Sequence, residues 1–271
     1  MGVKAALFAT ALALASPASY LQSQQHADGG WGDPSLTAWA ALGLHAAGAD
    51  TGGALDYLVA HDAGLTKPTD VALVALAEAA LGGDTDSLLG RLPTSPRLVN
   101  QAVWSILAYR QAGKAAPRRL ARYVLASQEA NGGFSWTRRG SPDTNDTAAA
   151  IEALRSAGVS GKPIMRGLAY LRRFESRDGG FALSAGRDSD AQSTAFAIQA
   201  FVAAGATPPR AVFAFLASLR RSDGSYRYSR AYATTPVWVT AQVLPALFRQ
   251  AYPLRGDTRR AVASARSRAD P

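Results

Sequence analysis

The chain has 271 residues, 48% of them apolar, and a formal net charge of +9. This length and composition are sufficient for a large core. The sequence contains no Cys, which excludes disulfides, thiolate nucleophiles, iron-sulfur clusters and zinc sites that use Cys. Ala and Leu dominate the apolar residues over Val and Ile, so the composition predicts an all-α protein.

At the N-terminus, residues 1–15 contain one Lys and an apolar stretch that ends in Ala13-Leu14-Ala15. The stretch is too short to span a bilayer and fits a secretory signal peptide with small residues at the cleavage site. The alternative is an extra helix packed on the domain. Ser16 and Pro17 suit the N-cap and first residue of the next helix. We therefore expect a secreted or cell-envelope protein that is not transmembrane, with a cytoplasmic location as the alternative.

Six similar apolar segments follow along the chain, and five of them end at Gly. They are TAWAALGLHAAG to Gly48, VALVALAEAALG to Gly82, AVWSILAYRQAG to Gly113, TAAAIEALRSAG to Gly158, TAFAIQAFVAAG to Gly205 and TAQVLPALFRQA to Ala251. Each is apolar on nearly every side, as expected for a helix that is buried all round, and the final Gly is typical of a helix C-terminus.

A more amphipathic segment precedes each apolar one, with its polar residues opposite an apolar stripe. These segments are SPASYLQSQQ, GALDYLVAH, DSLLGRLPTS, APRRLARYVLASQE, PIMRGLAYLRRFES and PPRAVFAFLASLRR. Alternating outer and inner helices predict a closed α/α toroid of six helical hairpins over residues 16–254, followed by a basic flexible tail at 255–271.

Loops between the paired segments carry a second repeated pattern, Gly-x-aromatic. It occurs in DGGWG, NGGFSW, DGGFA and DGSYR. Paired small residues predict turns with positive φ that bury the aromatic ring between hairpins. With the upstream aromatic-aliphatic-x3-Gln pattern, clearest for Gln25 with Trp31 and for Gln128 with Phe134, the repeat resembles the QW motif of the prenyltransferase and squalene-hopene cyclase (terpene cyclase) superfamily.

This resemblance extends from about Ser16 to Ala251 and implies the α/α toroid fold. The superfamily also includes protein prenyltransferase β subunits, thioester-containing complement domains and, more distantly, cobalamin carriers similar to intrinsic factor. The prenyltransferase zinc site and the complement thioester both require Cys, so the sequence excludes both activities. His26, His45 and His61 lie far apart without HxxxH or HExxH spacing, and we expect neither metal nor cofactor.

The resemblance to terpene cyclases implies an Asp-x-Asp-Asp-Thr-Ala motif whose middle Asp protonates an alkene or epoxide. Residues 143–148 read DTNDTA, which puts Asn145 at the position of that acid. An Asn cannot donate this proton. Asp143 or Asp146 is the candidate acid if the protein is a cyclase, but an acid displaced by one or two residues on a helix start points elsewhere.

Aligned inner segments place Ser35, Asn100, Asn145 and Gln192 at one equivalent position, close to the helix start. In a closed ring these starts converge on one mouth, and small polar side chains around aromatic rings suit a ligand pocket. The predicted ligand-binding residues are Asp33, Ser35, Trp39, Asn100, Trp104, Asp143, Asn145, Asp146, Asp190, Gln192 and Trp238. The alternative for each Asp and Ser is an ordinary N-cap.

We therefore expect an exported protein that binds a bulky, partly apolar small molecule, an isoprenoid or a corrinoid-like ring, without cyclase catalysis. One alternative is a class II terpene cyclase or prenyltransferase-like enzyme. Another is a protein-binding scaffold that uses its Arg-rich outer helices. A corrinoid ligand would imply a separate β domain or a transporter component as partner. No nucleic-acid-binding motif accompanies the basic charge, so we expect no nucleic acid partner.

Overall fold

The computed structural model describes residues 15–254, and this part of the chain forms twelve α-helices and one two-stranded sheet. The helix-rich fold that the composition predicts is confirmed for these residues. Six helices, called the inner helices, are α2 (Pro34–Ala46), α4 (Pro68–Leu81), α6 (Val99–Gln111), α8 (Thr144–Ser156), α10 (Ala191–Ala203) and α12 (Pro236–Leu247). Six outer helices alternate with them: α1 (Pro17–Ser23), α3 (Ala54–His61), α5 (Asp86–Arg91), α7 (Arg118–Leu125), α9 (Lys162–Arg172) and α11 (Ala211–Leu219).

Strands β1 (Phe181–Ala182) and β2 (Ser189–Asp190) pair antiparallel just before α10. The predicted signal peptide falls almost entirely, and the predicted tail wholly, outside the described residues. Ser16 is the N-cap of α1 and Pro17 begins it, as predicted. Among residues 15–254, no helix combines the length and the apolar character needed to cross a membrane.

Inner helices form the centre of the packing. Each packs against the next inner helix along the chain, and α12 packs against α2. This last contact depends on Gly43, because a Cβ added there would lie 2.6 Å from the carbonyl oxygen of Ala241. The main chains of the first and last inner helices are therefore close neighbours.

In five inner helices the predicted Gly follows the last helical residue by one or two positions and has positive φ: Gly48, Gly82, Gly113, Gly158 and Gly205. The sixth differs from the prediction. Helix α12 contains Pro245 and ends at Leu247, and the residue with positive φ that follows it is Arg249, two positions before the expected Ala251. The chain then turns back earlier than the repeat predicts.

Four loops attach to the inner helix that follows them. The aromatic residue of each loop donates its main-chain N–H to a Thr hydroxyl near the helix start, at 2.9 Å in every copy: Trp31 to Thr37, Phe134 to Thr147, Phe181 to Thr194 and Tyr226 to Thr240. All four rings are buried, as predicted. This hydrogen bond holds each loop beside the start of the inner helix that follows it. The Thr and the aromatic residue of each repeat therefore help to position its loop.

Candidate functional site

The inner-helix starts are linked to one another by main-chain hydrogen bonds. The carbonyl of Trp136, before α8, accepts from the N–H of Asn100 in α6 at 3.2 Å. Thr144 at the start of α8 donates to Leu183, before α10, at 2.9 Å. Ala191 at the start of α10 donates to the carbonyl of Tyr228, before α12, at 2.7 Å. These starts therefore share one end of the molecule, which we call the mouth.

An open cleft of about 560 Å³ lies at the mouth between the starts of α2 and α12. We call it the α2–α12 cleft. Its lining is mostly apolar and consists of Asp33, Ser35, Leu36, Trp39, Thr235, Pro236, Val237 and Trp238. An apolar surface with a few polar groups at its edge is typical of small-molecule sites. Four of the predicted ligand-binding residues, Asp33, Ser35, Trp39 and Trp238, lie in this cleft.

Three of the four predicted ligand-binding aspartates act as helix N-caps. A carboxylate oxygen of Asp33 accepts from the N–H of Leu36 at 2.9 Å, and one of Asp143 accepts from Asp146 at 2.8 Å. Asp190 accepts from both the N–H and the hydroxyl of Ser193, at 2.7 and 2.8 Å. Each carboxylate thus satisfies a donor of its own helix, which is the alternative that the sequence left open.

Ser35, Asn100, Asn145 and Gln192 each occupy the second residue of an inner helix, so the predicted alignment is correct. Only Ser35 lines the cleft. The side-chain oxygens of Asn100 and Asn145 are buried without a hydrogen-bond partner. The structure thus separates this predicted set into one cleft residue and three residues elsewhere around the mouth.

Asp143 and Asp146 form an interacting pair of carboxyl groups at the start of α8. Burial raises the pKa of Asp146, and the neighbouring charge of Asp143 raises it further. A hydrogen bond from the N–H of Trp136 lowers this pKa and so opposes the shift. Burial also raises the pKa of Asp143, although hydrogen bonds from Asp146 and Asn145 oppose the shift. The pair therefore holds a proton more tightly than ordinary aspartates do. Neither carboxyl group belongs to the lining of the cleft.

Below the mouth, aromatic rings from different inner helices meet at the centre. The ring centroid of Trp39 lies 5.4 Å from that of Trp104 and 6.4 Å from that of Phe196. Tyr252 joins them, at 6.2 Å from Trp39 and 6.3 Å from Trp104. The predicted ligand-binding residue Trp104 thus packs into an aromatic cluster below the cleft, while Trp39 contributes to both.

Tyr252 belongs to a segment, residues 248–254, that returns to the inner helices after α12. Its main-chain N–H donates to a carboxyl oxygen of Glu152 at 2.6 Å. The main chain of Leu254 exchanges two hydrogen bonds with the side chain of Gln111, at 2.6 and 3.0 Å. Sequence reasoning missed this segment. The sequence feature that could have indicated a buried partner in this region is Glu152, a single acid within the apolar run TAAAIEAL.

Metal ligands do not cluster in the described part of the chain: residues 15–254 contain no group of three or more His, Asp or Glu side chains suited to a metal ion. With no Cys in the sequence, neither the mouth nor the centre offers a ligand set of the kind that structural or catalytic zinc requires.

Solved structures of terpene cyclases superimpose on this chain. The type II terpene cyclase MstE from Scytonema superimposes with a TM-score of 0.67 at 17% identity, over 86% of this chain and 95% of that chain. A protein from Actinoplanes gives a TM-score of 0.66 at 19% identity, over 86% of this chain and 97% of that chain. The chain therefore has the fold of these proteins.

Another solved structure with this fold is ent-copalyl diphosphate synthase from Streptomyces platensis. It gives a TM-score of 0.56 at 19% identity and covers 80% of this chain but 50% of that chain. The predicted resemblance to the terpene cyclase superfamily is thus supported at the level of fold. No protein-family model matches the sequence, and no curated protein sequence matches it.

Proposed function

We propose that this protein binds an isoprenoid in the α2–α12 cleft without cyclising it. The observation that supports this proposal is the lining of the cleft at the mouth. Its lining is mostly apolar, and it includes the two large rings of Trp39 and Trp238. A geranylgeranyl compound is the substrate in one solved structure of the Scytonema cyclase, which supports an isoprenoid over the corrinoid alternative.

The architecture that we infer is a closed α/α toroid of six hairpins. The packing of α12 against α2, together with the packing of each inner helix on the next, supports this closure. In such a ring α8 lies opposite α2, so the Asp143–Asp146 pair is across the mouth from the cleft. This separation favours binding over proton-initiated cyclisation.

Binding is tested by titrating geranylgeraniol and following the intrinsic Trp fluorescence. Trp238→Ala should weaken the affinity at least tenfold, because fully burying an aromatic side chain is worth about 1.5–3 kcal/mol. Trp136→Ala is the matched control, since Trp136 lies outside the cleft and is 53% exposed. Its affinity should stay within about twofold of wild type.

Two results would contradict the proposal. One is the absence of saturable geranylgeraniol binding. The other is a protein that does not bind geranylgeraniol but binds hydroxocobalamin saturably, with a weaker affinity in Trp238→Ala. That result would favour the corrinoid alternative and a search for a separate β domain or transporter partner.

A second candidate function, a class II terpene cyclase, is favoured by one observation. The Asp143–Asp146 pair retains a proton because burial raises both pKa values, and a general acid needs that property. Asp146 would then donate the proton in place of Asn145. We expect the binding function instead, because the acid pair is outside the cleft lining.

The enzyme candidate is tested by incubating the wild-type protein with squalene and with geranylgeranyl compounds. We expect no cyclised product, since losing a general acid alone typically lowers rates by about 10² to 10⁴. Asn145→Asp should produce little turnover, and Asp143→Asn or Asp146→Asn should leave geranylgeraniol binding within a few-fold. Product formed by wild type and abolished by Asp146→Asn would make the cyclase the leading function.

We further propose that residues 1–15 direct export and are removed. Support comes from α1, whose first turn keeps its cap after cleavage because the hydroxyl of Ser16 accepts from the N–H of Ser19 at 3.0 Å. The hydrogen bond from Arg220 to the carbonyl of Ala15 is exposed, so losing it costs little. Mass spectrometry of protein collected outside the cytoplasm should give a chain starting at Ser16, and an intact N-terminus there would contradict this.

A further inference from the structure

The α2–α12 cleft has its polar groups at the outer edge. Asp33 and Thr235 are the residues just before α2 and α12, so they lie at that edge. Trp39 follows Ser35 by four residues, and residues with this spacing share one face of a helix, about one turn apart. Trp39 therefore lies one turn deeper than Ser35. An alcohol that binds with its hydroxyl group at the edge would point its tail toward Trp39.

The indole ring of Trp39 separates the cleft from the aromatic cluster below it. Trp39 is half-buried and lines the cleft. The ring centroids of Trp104, Tyr252 and Phe196 lie 5.4, 6.2 and 6.4 Å from that of Trp39. All three contacts are edge-to-face, a geometry that aromatic pairs prefer. These three rings do not line the cleft, so Trp39 forms the boundary between the cleft and the cluster.

Packed side chains close the space behind Trp39. Phe196 is 4% exposed and Tyr252 is 2% exposed. The main chain of Tyr252 is fixed as well, because its N–H donates to a carboxyl oxygen of Glu152 at 2.6 Å. A close-packed interior leaves few voids for a side chain to enter. Trp39 therefore cannot move away from the cleft unless one of these rings moves with it.

We propose that Trp39 limits the length of the isoprenoid tail that the cleft accepts, and that Tyr252 supports Trp39 from behind. An apolar cavity of about 150 Å³ binds one benzene molecule, which is close in size to an isoprene unit. A cleft of about 560 Å³ thus has room for roughly four units, the length of a geranylgeranyl chain. A further unit would meet the ring of Trp39. This inference rests on the proposed binding function and adds the residue that selects among isoprenoids.

The test compares geranylgeraniol with geranylfarnesol, which is longer by one isoprene unit, on the full chain. Displacement of a dansyl-labelled farnesol probe gives the affinities, since the variants remove Trp fluorescence. Wild type should bind the two alcohols within about twofold of each other, because the additional unit stays in water. Trp39→Ala should bind geranylfarnesol at least about tenfold more tightly than geranylgeraniol, because the opened space buries that unit.

Trp39→Leu is the second variant, and it keeps an apolar side chain at this position in case Trp39→Ala does not fold. It opens less space than Trp39→Ala, so its preference for geranylfarnesol should be smaller, at about threefold or more. Circular dichroism shows whether each variant is folded.

Two controls separate length selection from affinity. Trp238→Ala removes a ring that lines the same cleft but is not a member of the aromatic cluster. It should weaken the binding of both alcohols equally and keep the wild-type ratio of their affinities. Tyr252→Phe keeps the supporting ring and removes a hydroxyl that is buried without a hydrogen-bond partner, so it should also keep that ratio.

Failure of the binding function and failure of the length limit give different results. A wild-type protein that binds neither alcohol would overturn both. A wild-type protein that binds geranylgeraniol but prefers geranylfarnesol tenfold would overturn the length limit alone. So would a wild-type ratio in both Trp39 variants, or a shift of the ratio in Trp238→Ala as large as that in Trp39→Ala.

Discussion

Two buried glutamates in the inner helices are the least expected side chains of this protein. Glu78 in α4 and Glu152 in α8 are each 1% exposed. One oxygen of Glu152 accepts from the N–H of Tyr252, while neither oxygen of Glu78 has a hydrogen-bond partner. A buried carboxylate without partners is costly, so the neutral form is favoured and the pKa rises.

Glu78 provides a test at this scale. Burial, helped by the charges of Asp62 and Asp84, raises the pKa of Glu78 from its ordinary value of 4.5 to about 7. The folded state therefore keeps this proton at pH values where the unfolded chain has lost it. Its stabilising contribution is complete below pH 4.5 and disappears as the pH rises through about 7.

We expect Glu78→Gln to remove this part of the pH dependence. Between pH 4.5 and pH 7, the free energy of unfolding of wild type relative to the variant should fall by an amount on the order of 3 kcal/mol. Urea denaturation followed by circular dichroism across this range measures it. Glu175→Gln, which neutralises an exposed carboxylate, is the control. A difference between wild type and Glu78→Gln that is constant with pH would disprove the assignment.

At the scale of single elements, the inner helices follow local rules closely, and α6 shows how a weak start is compensated. It lacks an Asp cap. Instead, the side-chain oxygen of Gln101 accepts from the N–H groups of Arg97 and Leu98, at 3.0 and 3.2 Å. The carbonyl of Trp136 adds two further acceptor contacts from the loop before α8. The start of this helix thus depends partly on a later repeat.

Packing between α2 and α12 gives the test at this scale. Ala is the better helix former by about 1 kcal/mol, but a Cβ at Gly43 would lie 2.6 Å from the carbonyl of Ala241. We expect Gly43→Ala to lower the free energy of unfolding by about 1–3 kcal/mol, because the two helices must move apart. Thermal and urea denaturation measure the change.

Gly90→Ala is the matched control in α5, where an added Cβ meets nothing within 4 Å. It should leave stability unchanged or raise it by up to about 1 kcal/mol. Equal effects of the two substitutions would show that α2 and α12 are less closely packed than described.

At the scale of the whole molecule, the returning segment at 248–254 joins distant parts of the chain. Tyr252 bonds Glu152 across 100 residues of sequence, and Leu254 bonds Gln111 across 143. Gln250 donates to the carbonyl of Ala46 at 2.9 Å. One short segment therefore contacts three inner helices, α2, α6 and α8.

Replacing Tyr252 tests this role. Tyr252→Ala would leave a void among Trp39, Trp104 and the inner helices, and removing a buried aromatic side chain typically costs about 3–5 kcal/mol. We expect a loss of that size in the free energy of unfolding. Tyr232→Ala, which removes a side chain that is 63% exposed, should change stability by less than about 0.5 kcal/mol. Similar losses in both variants would contradict a structural role for the returning segment.

The sequence by itself determined the features that depend on neighbouring residues. The Gly that follows five inner helices and the aligned helix starts follow from patterns a few residues long, because turns and helix ends are local interactions. The N-caps at Asp33, Asp143 and Asp190 are local too, but the sequence offered them only as the alternative to ligand binding. The buried loop aromatics follow for the same reason, since each bonds a Thr in the next helix.

Tertiary structure alone decided which of the predicted mouth residues share a cleft and what fills the centre. Asp33, Ser35, Trp39 and Trp238 meet in the cleft because α2 and α12, the first and last inner helices, pack together. The central position of Tyr252 and the raised pKa values of Glu78 and Asp146 likewise arise from contacts and burial between segments far apart in the chain. No short pattern encodes them, because desolvation and ring packing depend on every element that surrounds a group.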